Sequence, residues 1–219
     1  MNGINTSSES FLSSSLDFQR VTDIPVPQVI ALVASARAGT KIFQSFLDDH
    51  ANILMIPGYP LMYLYPHWSS WCQELGDNLT WERLLEKFCV KHGSVLDSRK
   101  VPGLSGLEKL GEQHNEHIEI NETLFRNSVK ALTDGLPVCR KTFLLAVHYA
   151  YAICKQENPA VKSVLFYHLH YPPYLKDLVE DFPNLKVITM IRNPLASVHS
   201  TARGLGLVGE SKLNRTDSL

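Results

Sequence analysis

The sequence predicts an α/β fold with a central parallel sheet flanked by helices, and three observations carry that expectation. Residues 29–33 (VIALV) and 185–191 (LKVITMI) are short, apolar and rich in β-branched side chains, as strands buried on both faces of a parallel sheet are. A helical pattern follows each of them closely. The long stretch between them, about residues 61–157, reads mostly as helix and forms a helical insertion. A chain of 219 residues suffices for one substantial core, so residues 25–219 are expected to form a single domain behind a flexible Ser-rich tail over 1–24.

Pro25 and Pro27 favour an extended lead into the first strand. In residues 34–41, ASARAGTK, small side chains permit a tight turn, and Arg37, Thr40 and Lys41 stand where a helix begins. The unpaired N–H groups of a helix start and the positive end of its dipole form an anion cradle, to which Arg37 and Lys41 add full charges. Phosphate or sulfate is the expected guest. Ile42, Phe43, Phe46 and Leu47 recur at helical spacing and are expected to pack on the sheet before the helix ends near Asp49 and His50. A second buried strand over 52–56 follows. Its trailing loop, 57–60, falls on the cradle's side of the sheet, the edge at which open α/β sheets bind ligands.

Within the helical stretch, Thr80 caps a helix that carries Trp81, Leu84, Leu85, Phe88 and Cys89 and ends at Gly93. Asn121 caps a second with Leu124, Phe125, Val129 and Leu132, ending at Gly135, and a third, over 142–156, is apolar nearly all round and predicted to be buried. Residues 94–119, rich in Gly, His and charge, are predicted to hold a mobile loop that covers the site and shapes an acceptor pocket. Helices that only cover one face of the sheet are the alternative. Tyr63, Tyr65, Trp68 and Trp71 read as core or packing residues.

Residues 163–170 form a strand whose alternation sets His168 and His170 on one face near its C-terminal end. Pro172 and Pro173 end it, a short helix over 174–182 follows, and the buried strand 185–191 completes a strand–helix–strand crossover. Next comes Arg192-Asn-Pro-Leu-Ala-Ser-Val-His-Ser200. Arg192 offers a planar donor fork to a phosphate, and Ser200, two turns into the helix opened by Pro194, adds a hydroxyl.

Composition narrows the function classes. The apolar fraction is 44% with 20% charged residues, ordinary for a globular protein, and the net charge of −1 with no basic, aromatic-interleaved stripe argues against a nucleic-acid partner. Cys72, Cys89, Cys139 and Cys154 show no metal-ligand spacing and read as small buried thiols of a reducing, cytoplasmic setting. The most apolar stretch, 143–154, is too short to cross a membrane, and no secretory pattern is visible at the N-terminus. Oligomeric state is not legible.

Two half-motifs and a histidine together carry a family resemblance. The turn is not a Walker A loop, because Lys41 follows Thr40 and not the last Gly. Arg37-Ala38-Gly39-Thr40 instead resembles the 5′-phosphosulfate loop of the sulfotransferases that use 3′-phosphoadenosine 5′-phosphosulfate (PAPS). Arg192 and Ser200, eight positions apart, resemble that family's 3′-phosphate motif, and Ala196-Ser-Val-His-Ser200 looks especially like its tyrosylprotein branch. His168-Leu-His-Tyr-Pro172 resembles the Lys-Thr-His-Leu-Pro of the cytosolic branch, so His170 matches the catalytic base while His168 replaces the family's Lys. The resemblance covers about residues 28–58 and 161–204.

What it implies is a P-loop-NTP-hydrolase-like sulfotransferase fold and an enzyme that moves a sulfuryl group from PAPS to a hydroxyl or amine of a small-molecule, carbohydrate or peptide acceptor. His170 is then the base, with Arg37 and Lys41 stabilising charge. Arg37, Ala38, Gly39, Thr40, Lys41, Arg192 and Ser200 bind the nucleotide. No metal is expected, since a sulfuryl group carries less charge than a phosphoryl group and no Walker-B-like Asp follows either strand. Two departures keep a second class open, a nucleotide-binding or regulatory module without catalysis. The tyrosylprotein branch's catalytic Glu has no counterpart between Asn52 and Trp68. The family's further basic segment also has none before Leu219, so the chain is expected to be a fragment or its nucleotide site open and weak. A small-molecule kinase is the third reading, disfavoured by the Gly-Thr-Lys order.

Overall fold

A computed structural model describes residues 20–34, 38–57, 64–100, 112–169 and 172–204. The elements in chain order are β1 (Gln28–Ala34), α1 (Thr40–Ser45), β2 (Ile53–Leu54), α2 (Leu64–Leu75), α3 (Trp81–Lys91), α4 (Glu122–Thr133), α5 (Arg140–Cys154), β3 (Val164–Leu169), α6 (Leu175–Asp181), β4 (Lys186–Met190) and α7 (Pro194–Gly204). The α/β expectation holds: the four strands form one parallel sheet in the order β2-β3-β1-β4, flanked by helices.

Period-2 alternation gives the sheet two different faces. Val29, Ala31 and Val33 of β1 and Leu165, Tyr167 and Leu169 of β3 join the large apolar core built with α2 to α6. Its centre is α5, buried without a break from Phe143 to Ile153, so the helix predicted over 142–156 is confirmed as a core helix. Phe143 meets the rings of Trp68, Trp81 and Phe88 at centroid distances of 5.9, 6.2 and 5.7 Å, which agrees with a packing role for the aromatic residues. Tyr63 lies outside the described residues. The predicted caps are in place, with Thr80 Oγ1 accepting from Arg83 N at 3.3 Å and Asn121 Oδ1 from Leu124 N at 2.9 Å. Arg140 ties α5 to α6 through Asp181 (Nε to Oδ2, 2.7 Å), and Tyr65 of α2 donates to the same carboxylate at 3.0 Å.

The other face carries Leu32, Ala34, Phe166 and His168. Among the described residues α1 contacts it, through Phe43 against Phe166 (6.1 Å between centroids) and Gln44 against His168.

Five expectations need correction. The apolar positions of α1 do not all face the sheet: Ile42 is 66% and Phe46 77% exposed, while Thr40 and Gln44 are buried at 3% and 7%. A six-residue helix presents one narrow stripe, and here the i, i+4 pair Thr40 and Gln44 occupies it. β4 is not buried either. It stands at the sheet edge, paired only with β1 among the described residues, and Ile191 just after it is 91% exposed. β2 is shorter than the predicted 52–56, because as the opposite edge strand it pairs only Ile53 and Leu54 with β3. The ordered fold begins before Pro25, since Val21 and Ile24 are buried against the core. Of the four cysteines only Cys89 is buried; Cys139 is exposed, and all four are free thiols.

The flanks of the predicted mobile loop are anchored. Ser98 N donates to Ile118 O at 3.0 Å and Ile120 N to Leu96 O at 2.7 Å, while residues 101–111 lie outside the described residues.

Candidate functional site

Register decides which loops become neighbours. Leu169 at the end of β3 is level with Val33, and Met190 at the end of β4 is level with Ala34. The described parts of β1, β3 and β4 therefore end at adjacent points of one sheet edge, and residues 191–200 follow β4 directly. From there β1 connects towards β2, past β3, and β3 connects towards β4, past β1. Their helices lie on opposite faces, α1 over Phe166 and His168 and α6 in the large core through Leu178. Connections that part in this way leave a crevice at the C-terminal ends of the strands.

Of the predicted cradle, Ala38 to Lys41 are described and Arg37 is not. Gly39 precedes α1 with φ 92°, a left-handed conformation that a side chain would strain, and the tip of Met190 lies 3.8 Å from where a Cβ would stand. That position thus requires glycine for its backbone and brings the turn against the end of β4. Thr40, the first helical residue, is buried, whereas Lys41 is exposed.

The second half-motif has the predicted order. Arg192 follows β4 and is exposed. Asn193 then caps α7, its Oδ1 accepting from Leu195 N at 2.9 Å and Ala196 N at 3.3 Å, with Pro194 at the first helical position, where its missing N–H costs nothing. Ser200 lies half-buried on α7. His170, the expected base, lies outside the described residues. Its neighbour His168 is buried at the end of β3, with Nδ1 2.8 Å from Gln44 Oε1. Since an amide oxygen only accepts, Nδ1 carries the proton.

Gln44 is the residue that sequence reasoning missed. Its signal was present: a polar side chain four positions after Thr40, set between the apolar pairs Ile42-Phe43 and Phe46-Leu47. Among the described residues no group of three or more His, Cys, Asp or Glu side chains could hold a metal ion, and no helix is long and apolar enough to cross a membrane.

Two other buried histidines lie apart from this edge. His92, packed among Trp71, His67 and Phe88, is pushed down to about 3 by burial, helped by His67 and Lys91. His148 on α5, fully buried, is pushed down to about 4 by burial, against the opposing effect of its 2.8 Å hydrogen bond to Leu144 O. Both are core histidines held neutral.

No family model matches the chain, and neither a curated protein nor a solved structure gives a significant match.

Proposed function

We propose that this chain is a PAPS-dependent sulfotransferase domain of the P-loop-like α/β class, acting on a hydroxyl or amine acceptor. The observation that supports the reading is the strand register, in which β1, β3 and β4, the strands that precede the two half-motifs and the His170 segment in sequence, end level with one another. The left-handed Gly39 and the exposed Lys41 support it, since each suits a backbone-and-cation site for phosphate.

When bound, the nucleotide supplies the sulfuryl group and a phosphate leaving group. His170 takes the proton of the acceptor as its oxygen or nitrogen attacks. Arg37, Lys41 and the turn's N–H groups hold the 5′-phosphate and offset the charge that grows there, about 3 kcal/mol for one well-placed donor. Arg192 and Ser200 bind the 3′-phosphate and so fix the nucleotide's position relative to the base. A binding module without transfer is the second reading, favoured by the absence of a carboxylate between Asn52 and Trp68 and by the exposed edge at β4.

Thermal stability of the chain and of Arg192→Ala, with 3′-phosphoadenosine 5′-phosphate and ATP–Mg²⁺ in parallel, tests the site. At about a hundred times its Kd the bisphosphate should stabilise the parent chain by about 2.7 kcal/mol, and the variant much less. ATP–Mg²⁺ acting in its place would point to a kinase, and no response to either would sink the nucleotide site. Sulfuryl transfer then separates the two remaining readings: His170→Ala should retain bisphosphate binding and lose about 10²- to 10⁴-fold in turnover.

A further inference from the structure

We propose that Gln44 and His168 form a polar latch that fixes α1 against β3, and through α1 the placement of Gly39, Thr40 and Lys41 at the sheet edge. The proposal rests on the sulfotransferase reading for its functional consequence, but its geometry stands apart from it. Helices on a sheet are ordinarily held by an apolar stripe. On α1 that stripe is narrow: Ile42 faces outward, as does Phe46 just after the helix, Phe43 is half-buried, and the buried i, i+4 pair is Thr40 and Gln44. Phe43 makes one ring contact with Phe166. The directional link is the 2.8 Å hydrogen bond from His168 Nδ1 to Gln44 Oε1, between two side chains that are both buried and 124 residues apart in sequence.

A buried hydrogen bond of this kind specifies position more than it adds stability. The bond is directional and lies between two buried side chains, so it favours a single arrangement of the pair. Here it joins the first turn after the cradle to the strand that leads into His170. His168 stands where the resembled family has a Lys, and in this chain that position has become an anchor for α1. Gln44 and His168 are therefore positioning residues, not catalytic ones.

The test uses Gln44→Leu, which removes the acceptor at similar volume, Gln44→Glu, which keeps it, His168→Leu, and the Gln44→Leu/His168→Leu pair. Amide hydrogen exchange of α1 is read against that of α5, together with affinity for 3′-phosphoadenosine 5′-phosphate by calorimetry. Gln44→Leu should speed exchange in α1 about tenfold, leave α5 unchanged and weaken the bisphosphate about tenfold. Gln44→Glu should recover most of both, and the double variant should be no worse than the worse single one. Unchanged exchange in α1 of Gln44→Leu, or losses that simply add in the double variant, would overturn the latch. If His168→Leu does not fold, the two Gln44 variants decide the matter. A parent chain that ignores the bisphosphate overturns the sulfotransferase reading and leaves exchange to decide the latch.

Discussion

Two histidines, one against each face of the sheet, show how differently the two sides are held. His148 of α5 packs edge-on against Tyr167, 6.5 Å between centroids, within a core of aromatic and aliphatic side chains. His168 lies on the opposite face, bonded to Gln44 of a six-residue helix that turns Ile42 outward and sets Phe43 against Phe166. The first side is fixed by apolar burial, which is strong and indifferent to direction. On the second, one apolar ring contact, Phe43 on Phe166, is joined by a polar contact, weaker in net free energy but directional. A binding edge gains from that division, because the thick side supplies stability while the thin side can hold backbone and cations in one arrangement.

Substitutions on the two faces should therefore differ most in cost. Phe143→Ala, which empties the centre of the aromatic cluster, should lose about 3–5 kcal/mol in urea unfolding. A loss under about 1 kcal/mol would mean that α5 is not the core's centre.

The next largest effect is in pH. His92 and His148 are both held below the ordinary value of 6.5, so between pH 6.5 and their folded values the unfolded chain binds more protons. Their stabilising contribution is complete above about pH 6.5 and is lost as pH falls towards 4 and then 3. Each should contribute a slope of roughly 1.4 kcal/mol per pH unit in that window. His67, also lowered by burial and by Lys91, adds to the same window. His92→Phe, a substitution that suits its aromatic surroundings, should therefore reduce the slope measured between pH 6 and 5 without abolishing it; an unchanged slope would place the acid sensitivity elsewhere. The carboxylates of Asp97, held down to about 2 by Arg99, and of Glu122, held down by Arg126, titrate at lower pH and leave that window clear.

The smallest effect sharpens the comparison from the thin side. Phe46→Ser should change stability by less than about 0.5 kcal/mol, since the ring is already mostly in water. A loss of several kcal/mol in the same denaturation assay would show that α1 is held by apolar burial after all, and the latch would lose its basis.

How far the fold was legible follows from what each element depends on. Thr80, Asn121 and the long apolar run of α5 are local signals: caps and periodicity act within one helix, so their positions could be read before any packing was known. The strands at 28–34, 164–169 and 186–190 were legible for the same reason. Whether β4 is buried was not, because composition says that a strand is apolar but not whether another strand lies beyond it. The orientation of α1 misled for a related reason. Ile42, Phe43, Phe46 and Leu47 have the spacing of a buried face, yet in the short helix that follows Gly39 the polar pair Thr40 and Gln44 faces in.

The sequence by itself determined the α/β class, the helix caps, the core helix and the order of the two half-motifs, since each depends on residues close together in the chain. Only the tertiary structure decided the strand order, the level of Val33 with Leu169 and of Ala34 with Met190, and the meeting of Gln44 with His168. These depend on which distant segments pair, and pairing is chosen by the whole core rather than by any one stretch of residues.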